Sequence, residues 1–556
     1  MIPLSRHITG SMACVSTTQQ RTPNDWLQTA SEAFSLAGLK ARLLYPTFHL
    51  GRTGWIIAAI LTVAAGLLRF WNLSHPNELI FDETYYVKDA YSLWHFGYER
   101  SWDDDVDDAF IAGQAQPSHD AAYVVHPPAG KWLIGVGMAL FGYDSAFGWR
   151  FTAALAGTLS VLLTFMLAAK LFRSLFLASV AGLLLTIEGH HIVMSRTALL
   201  DIFLMLFVLA AFCALVADRT WGRRRLVTEL AARYRRFTAA DATDHDRTQW
   251  HKAATYGPWL GVRPWRIAAG VLLGIAVSIK LSGLAFVAAF GLLTVWWDAT
   301  ARRSAGVRRW LPGAVVLDGL WAFVCMVGVG AVTYVATWAG WLSSSGGYYR
   351  NWAAGQSIPL PDWLASLIHY HVQSTTFHTG LDSSHNYASS AWIWPFAGRP
   401  VSFYYRTENV QCAADECSAA ILDLPNPLIW WTGLVAIVII VVRWLLIRDW
   451  RAGAILAVYA AGQLIWVLWP ARTMFFFYTV AYVPFLILAI TYVAGLWLAR
   501  TTPLGTGFAS RRVAVVGISL FVLAALALSA YFMPIWTGEP LPVHQWRARM
   551  WFQSWI

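Results

Sequence analysis

The chain has 556 residues, 57% hydrophobic and only 13% charged, with a mean hydropathy of +0.48 and 32 tryptophans. A soluble domain carries about 25% charged residues, so most of this chain cannot face water, which excludes a soluble enzyme or binding module. The formal charge of +10 falls in short clusters between apolar runs, a pattern that sets membrane orientation and argues against a nucleic-acid patch.

The mostly polar residues 1–52 come first. No short cleavable signal precedes the first apolar run, so that run is expected to serve as an uncleaved anchor. Windows of roughly 20 apolar residues mark membrane-spanning helices. Eleven are expected, near 53–74, 147–172, 175–194, 198–217, 265–280, 282–298, 314–342, 426–447, 452–470, 474–499 and 513–534. The run from Ile267 to Trp297 is divided at "SIKLSG", because Lys280 at mid-bilayer would cost about 2.5–3.5 kcal/mol on insertion scales. The fold class is therefore an all-α polytopic membrane protein, with a membrane domain over 53–534 and a short tail at 535–556.

Lysine and arginine set its orientation. The clusters "WGRRRLVTELAARYRRF", "ARRSAGVRR", "RWLLIRDWR" and "ASRR" fall on one side with the N-terminus, which is read as cytoplasmic. Segment 218–264 is polar and basic and is expected to be a mobile cytoplasmic loop. The outer side receives loop 75–146, which contains the acidic "SWDDDVDD", and loop 343–425. Amphipathic spacing from Trp363 to His371 in the second loop marks an interfacial helix. Cys412 and Cys417, in "QCAADECS", lie in the same loop, where oxidation is permitted. A disulfide closing this small loop is favoured; two free thiols, or a metal site formed with Asp415 and Glu416, stay open.

Several polar residues fall where the outer ends of the helices converge. "LIFDETYYVKDAYSL" sets Asp82 beside Glu83 directly after the first span. His126 and Lys131 occur in "HPPAGKWLIG", and Arg150 in "FGWRFTAALAG". Glu188, His190, Arg196 and Asp201 occupy "TIEGHHIVMSRTALLD", and Arg472 occurs in "WPARTMFFFY". Taken singly, each has a bland reading: a solvated helix cap for the acidic pair, a rigid turn for "HPP", a snorkelling side chain for Arg150. Together on one membrane face they point to a sheltered charged pocket. Arginine and lysine there suit a phosphate, and a carboxylate can take a proton from a hydroxyl. The combination fits transfer from a phosphate-linked donor to an alcohol, with the donor's lipid tail lying between helices.

At these residues the sequence resembles the protein O-mannosyltransferases of the bacterial, actinobacterial kind. The resemblance rests on "FDETYYVKDA", "HPPAGKWLIGVGMALFG", "GWRFTAALAGTLSVLL", "SRTALLDIFLMLF", "GVLLGIAVSIKLSGL", "HNYASSAWIWPFAGRPVSFYY" and "MPIWTGEPLPVHQWRARMWFQSWI", in order over most of 53–556. It implies a GT-C-type glycosyltransferase in the plasma membrane with an extracytoplasmic active site. It also implies transfer of mannose from polyprenyl-phosphate mannose to Ser or Thr of exported proteins. By the resemblance Asp82 is the general base, Glu83 helps hold the acceptor or the loop, and Arg150 engages the lipid phosphate. His126, Lys131, Arg196 and Arg472 carry over as substrate-binding residues without individual roles. Eukaryotic relatives carry a β-trefoil in the large outer loop, for which 343–425 is too short, so their acceptor rules do not transfer.

The expected chemistry is an inverting single displacement requiring no cofactor, with an ion at Asp82 and Glu83 left open. Two alternatives remain. One is a related transferase acting on a lipid or cell-wall glycan. The other is a lipid-linked sugar flippase, which would place its ionisable residues near the membrane midplane and not near helix ends.

Overall fold

The computed structural model describes residues 34–470, 472–500 and 507–556. Residues 1–33 of the N-terminal extension lie outside the described residues.

Among the described residues, nine helices are long and apolar enough to cross a membrane. The first, Gly51–Phe70, has 20 residues, about 30 Å of rise, the thickness of a bilayer core. The segment expected at 175–194 is a bent pair, Leu175–Ile187 and Gly189–Ser195, meeting at 60°. Glu188 sits at the break and holds it. One carboxylate oxygen accepts the His191 backbone N–H at 2.7 Å, and the other accepts that of Asn426 at 3.1 Å. Gly189 packs so closely on Trp536 that a Cβ there would lie 2.1 Å from the indole. The segment expected at 265–280 is the short helix Pro264–Ile279, followed after Lys280 by the helix Gly283–Ala305. All eleven expected segments are thus helical. An additional short apolar helix, Ala129–Phe141, lies within loop 75–146.

The largest correction concerns 218–264. The helix expected over 198–217 runs from Asp201 to Phe237 without a break, and Asp244–Tyr256 follows it. Thr243 caps the second helix in a reciprocal box with Asp246. Leu226, Leu230 and Trp250 bury against Leu39 and Leu43 of the helix Leu36–Leu43. The segment is an ordered helical layer, not a mobile loop. One of its arginines, Arg263, and two arginines beyond it are neutralised by buried carboxylates. Arg263 donates to Asp218 at 2.7 Å and to Asp298 at 2.9 Å, and Arg266 donates to the same two carboxylates at 2.9 and 2.6 Å. Arg302 donates to Asp318 at 2.6 Å. Buried charges are tolerated when paired and hydrogen-bonded in this way. Local sequence did not reveal these partners because they lie on four different helices.

The other departure from an all-helical chain is a small sheet. Strand β1, Val401–Arg406, pairs antiparallel with β2, Cys417–Asp423, and β3, Leu541–Pro542, joins β2 from the tail. Cys412 and Cys417 are joined by a disulfide in the loop between β1 and β2. The interfacial helix foreseen at Trp363–His371 spans Asp362–Gly380. The tail is tied back by Arg399, which donates to the carbonyls of Ser554 and Ile556 at 2.8 and 2.6 Å.

Candidate active site

Phe81 has φ of 51°, a left-handed conformation costing a bulky side chain about 1–3 kcal/mol unless its surroundings impose it. Its ring stacks on Phe403 of β1 at 4.8 Å and meets Phe477 edge-on at 5.7 Å. This bend starts the helix Glu83–Phe96 and sends the two acidic side chains to different places.

Asp82 occupies the N-cap position yet makes no capping hydrogen bond with its side chain. The solvated-cap reading therefore fails. The half-buried carboxylate is pushed up to about 6, chiefly by burial; Lys280 pulls it down, Asp201 raises it, and the Tyr86 hydroxyl pulls it down. The Lys280 ammonium donates to Asp201 at 2.6 Å and lies over the Tyr478 ring at 4.8 Å. Lys280 thus stands at a helix break within electrostatic range of Asp82, and Asp201 opens the long helix next to it.

Glu83 is fully buried and receives four hydrogen bonds. Arg150 donates Nε–H to Oε1 at 2.8 Å and Nη2–H to Oε2 at 2.7 Å. The backbone N–H groups of Ile80 and Ala198 add bonds of 3.1 and 2.8 Å. The remaining Arg150 donors go to the carbonyls of Leu73, Pro76 and Glu78. All five guanidinium N–H groups are engaged, so the expectation that Arg150 grips a lipid phosphate does not hold. It fastens the loop 73–83 through Glu83, and that is also the role the geometry gives Glu83.

Arg196 is likewise engaged. It donates to the carbonyls of Leu68, Arg69, Trp71 and Asn72, closing the C-terminal end of the first span, where helix carbonyls lack partners. Lys131 is buried against Glu99, with Asp89 at 3.9 Å. Its charge faces these carboxylates and not an open site. His190 donates Nδ1–H to Asp423 at 2.6 Å in the core beneath the hairpin, and Glu188 holds the helix break.

Two expected positions keep unmet hydrogen-bonding capacity among the described residues: His126 Nδ1 and Arg472 Nη1 are buried without partners. Burial holds the His126 imidazole well below its usual range, with the charges of Lys280, Lys131 and Arg472 and the neighbouring His378 adding to the effect. Its ring lies 5.1 Å from that of His378 and 6.0 Å from that of Tyr86. His378 donates Nε2–H to the Val125 carbonyl at 3.0 Å, leaving Nδ1 to accept from Arg472 at 3.4 Å. Burial holds His378 down to about 4. Arg472 also donates Nε–H to the His378 carbonyl at 2.9 Å. Buried polar atoms normally have partners, so these two unpartnered atoms, on residues that share the field of Lys280 with Asp82, mark a place for a polar ligand.

Sequence reading missed His378 and understated Lys280. His378 sits at the end of an amphipathic helix with no motif around it, and its partners are about 90 and 250 residues away in sequence.

Comparisons with known proteins show the family and the fold. The family model described as dolichyl-phosphate-mannose-protein mannosyltransferase matches residues 59–228, and that for the C-terminal four-helix region of protein-O-mannosyltransferase matches 363–555. One chain of the S. cerevisiae protein O-mannosyltransferase Pmt1-Pmt2 complex bound to the sugar donor superposes with a TM-score of 0.64, covering 94% of each chain at 15% identity. The fold is that of a membrane-embedded glycosyltransferase of the GT-C class.

A polyprenol-phosphate-mannose–protein mannosyltransferase of Mycolicibacterium smegmatis is 35% identical over 526 residues, covering 90% of this chain and 93% of its own. The enzyme of that name from Mycobacterium tuberculosis is 35% identical, with 90% and 92% covered, and that from Corynebacterium glutamicum is 33% identical, with 92% and 95% covered. The chain belongs to the polyprenol-phosphate-mannose–protein mannosyltransferase family.

Proposed function

We propose that the protein transfers mannose from polyprenyl-phosphate mannose to Ser or Thr hydroxyls of exported proteins at the outer face of the plasma membrane. The observation that carries the mechanism is an uncapped, half-buried Asp82 within electrostatic range of Lys280, which also bears on His126 together with Arg472. The acceptor hydroxyl gives its proton to Asp82 as its oxygen bonds to the anomeric carbon. The bond from that carbon to the phosphate oxygen breaks on the opposite face, and polyprenyl phosphate leaves with the electron pair. One displacement inverts the anomeric centre, through an oxocarbenium-like transition state. Arg472 and Lys280 face the growing phosphate charge, and His126, kept neutral, offers a hydrogen bond to donor or sugar. Glu83 and Arg150 position the loop that presents Asp82.

Transfer of labelled mannose from a polyprenyl-phosphate donor to a Ser/Thr peptide by the purified protein tests this reading. Absence of hexose on the peptide would remove it. Two further outcomes are expected. Arg472→Gln should raise the donor KM by about 10–100-fold, the worth of one charge-assisted hydrogen bond, with the thermal midpoint nearly unchanged; an unaltered donor KM would remove Arg472 from the phosphate site. The pH profile should show an acidic limb. The Asp82 carboxyl lies near 6, so its basic form is lost as pH falls, and kcat/KM for the acceptor should drop about tenfold for each pH unit below that value.

A further inference from the structure

At the end of the molecule opposite Asp82 lies a cavity of about 1870 Å³, larger than the roughly 300–1,000 Å³ of a small-molecule pocket. It lies beside Arg219, 18 residues along the long helix from Asp201, about 27 Å at the helical rise. Nine lysine and arginine side chains line it against one carboxylate, Asp449. Asp449 is already bound by Arg451 at 2.7 Å, so the lining retains a large excess of positive charge.

Arg219 is the centre of this arrangement. Its side chain is only 7% exposed. Its guanidinium carbon lies over the Trp450 ring, 3.6 Å from the centroid, and its Nε has no hydrogen-bond partner among the described residues. Asp449 and Asp298 act on it only through space, and no carboxylate forms an ion pair with it among the described residues; a buried cation on an aromatic face is stable where an anion completes its shell. Arg224 and Arg303, both exposed, extend the positive charge to the rim. The lining also includes Leu292 and Leu464, apolar side chains 76% and 55% exposed on helices long and apolar enough to span the bilayer. The cavity therefore presents cations at one level and lipid-facing hydrocarbon at the next, the order of a headgroup and its acyl chains. Basic pockets between membrane helices recognise anionic lipid headgroups by this means.

We propose that this cavity is a binding site for an anionic phospholipid of the leaflet opposite the reaction centre, its phosphate held by Arg219 and its rim arginines. The site is separate from the transfer chemistry, and its occupant pins together the helices Asp201–Phe237, Gly283–Ala305 and Trp450–Val467.

Native mass spectrometry of the purified full-length protein, titrated with phosphatidylglycerol or with phosphatidylcholine of the same chains, tests the assignment. The wild type should retain phosphatidylglycerol in preference to phosphatidylcholine. The double variant Arg224→Gln/Arg303→Gln changes only exposed rim residues and should keep the thermal midpoint of the delipidated protein. Its phosphatidylglycerol affinity should fall by about fivefold for each arginine removed. Equal retention of the two lipids, or equal affinity in wild type and variant, would overturn the proposal. Displacement of phosphatidylglycerol by inorganic phosphate alone would make this a free-anion site and overturn it as well.

Discussion

Asp82→Asn is expected to lower mannosyl transfer by about 10²–10⁴-fold, the range of a single general base, with the protein still folded. Asparagine has nearly the same shape but cannot accept the acceptor's proton. The fold should tolerate it because the Asp82 side chain does not cap its helix and its carboxylate is raised to about 6 by burial. Removing a charge that burial disfavours costs the folded state little. The residual activity should also lose its acidic limb, since the group that titrates is gone. The measurement is label transfer to a peptide across pH, beside a thermal melt. Wild-type rates in the variant would remove Asp82 as the base.

The second large effect is on stability. Glu83→Ala leaves the Arg150 guanidinium, 1% exposed, without its anion, and breaking a buried pair from one side costs about 3–5 kcal/mol. Arg150→Ala leaves Glu83 in the same position. Each variant should melt well below the wild type and yield less protein. The pair of substitutions together should cost much less than the sum of the two, because neither partner is then left charged and alone. An Arg150 that served the donor phosphate would behave differently: its loss would raise the donor KM and leave the thermal midpoint in place. Melting curves and donor titrations of the same three variants separate the two roles.

The sequence carried the helical plan well, because a span must be apolar over its whole length and that signal is local. The division at Lys280 could be read for the same reason: a charge within an apolar run forces a break or a partner, and here it has both a helix end and Asp201. Asp82 and Glu83 could be found from position and type alone. Their roles could not be separated, because that depends on the turn at Phe81 and on Arg150, 67 residues away. In sequence Arg150 and Arg196 point to a ligand, because an arginine at a helix end looks the same whether it meets a phosphate or a backbone carbonyl. Residues 218–264 read as mobile because their composition is polar. Their order comes from burial against distant helices, which composition does not record. The hairpin β1–β2 escaped notice for a related reason, since two short strands in a long loop carry little periodicity.

The helix Pro264–Ile279 has 16 residues, about 24 Å of rise against a hydrocarbon slab of roughly 30 Å. Arginine–aspartate clamps hold its first turn and the Lys280–Asp201 pair holds its last. A helix fixed at both ends and shorter than the slab would, with its first turn at one face, leave its terminal ammonium short of the other. Under the proposed function, a sugar phosphate would then meet that cation while its isoprenoid chain stayed among the acyl tails, and the acceptor polypeptide would have to dip down to react.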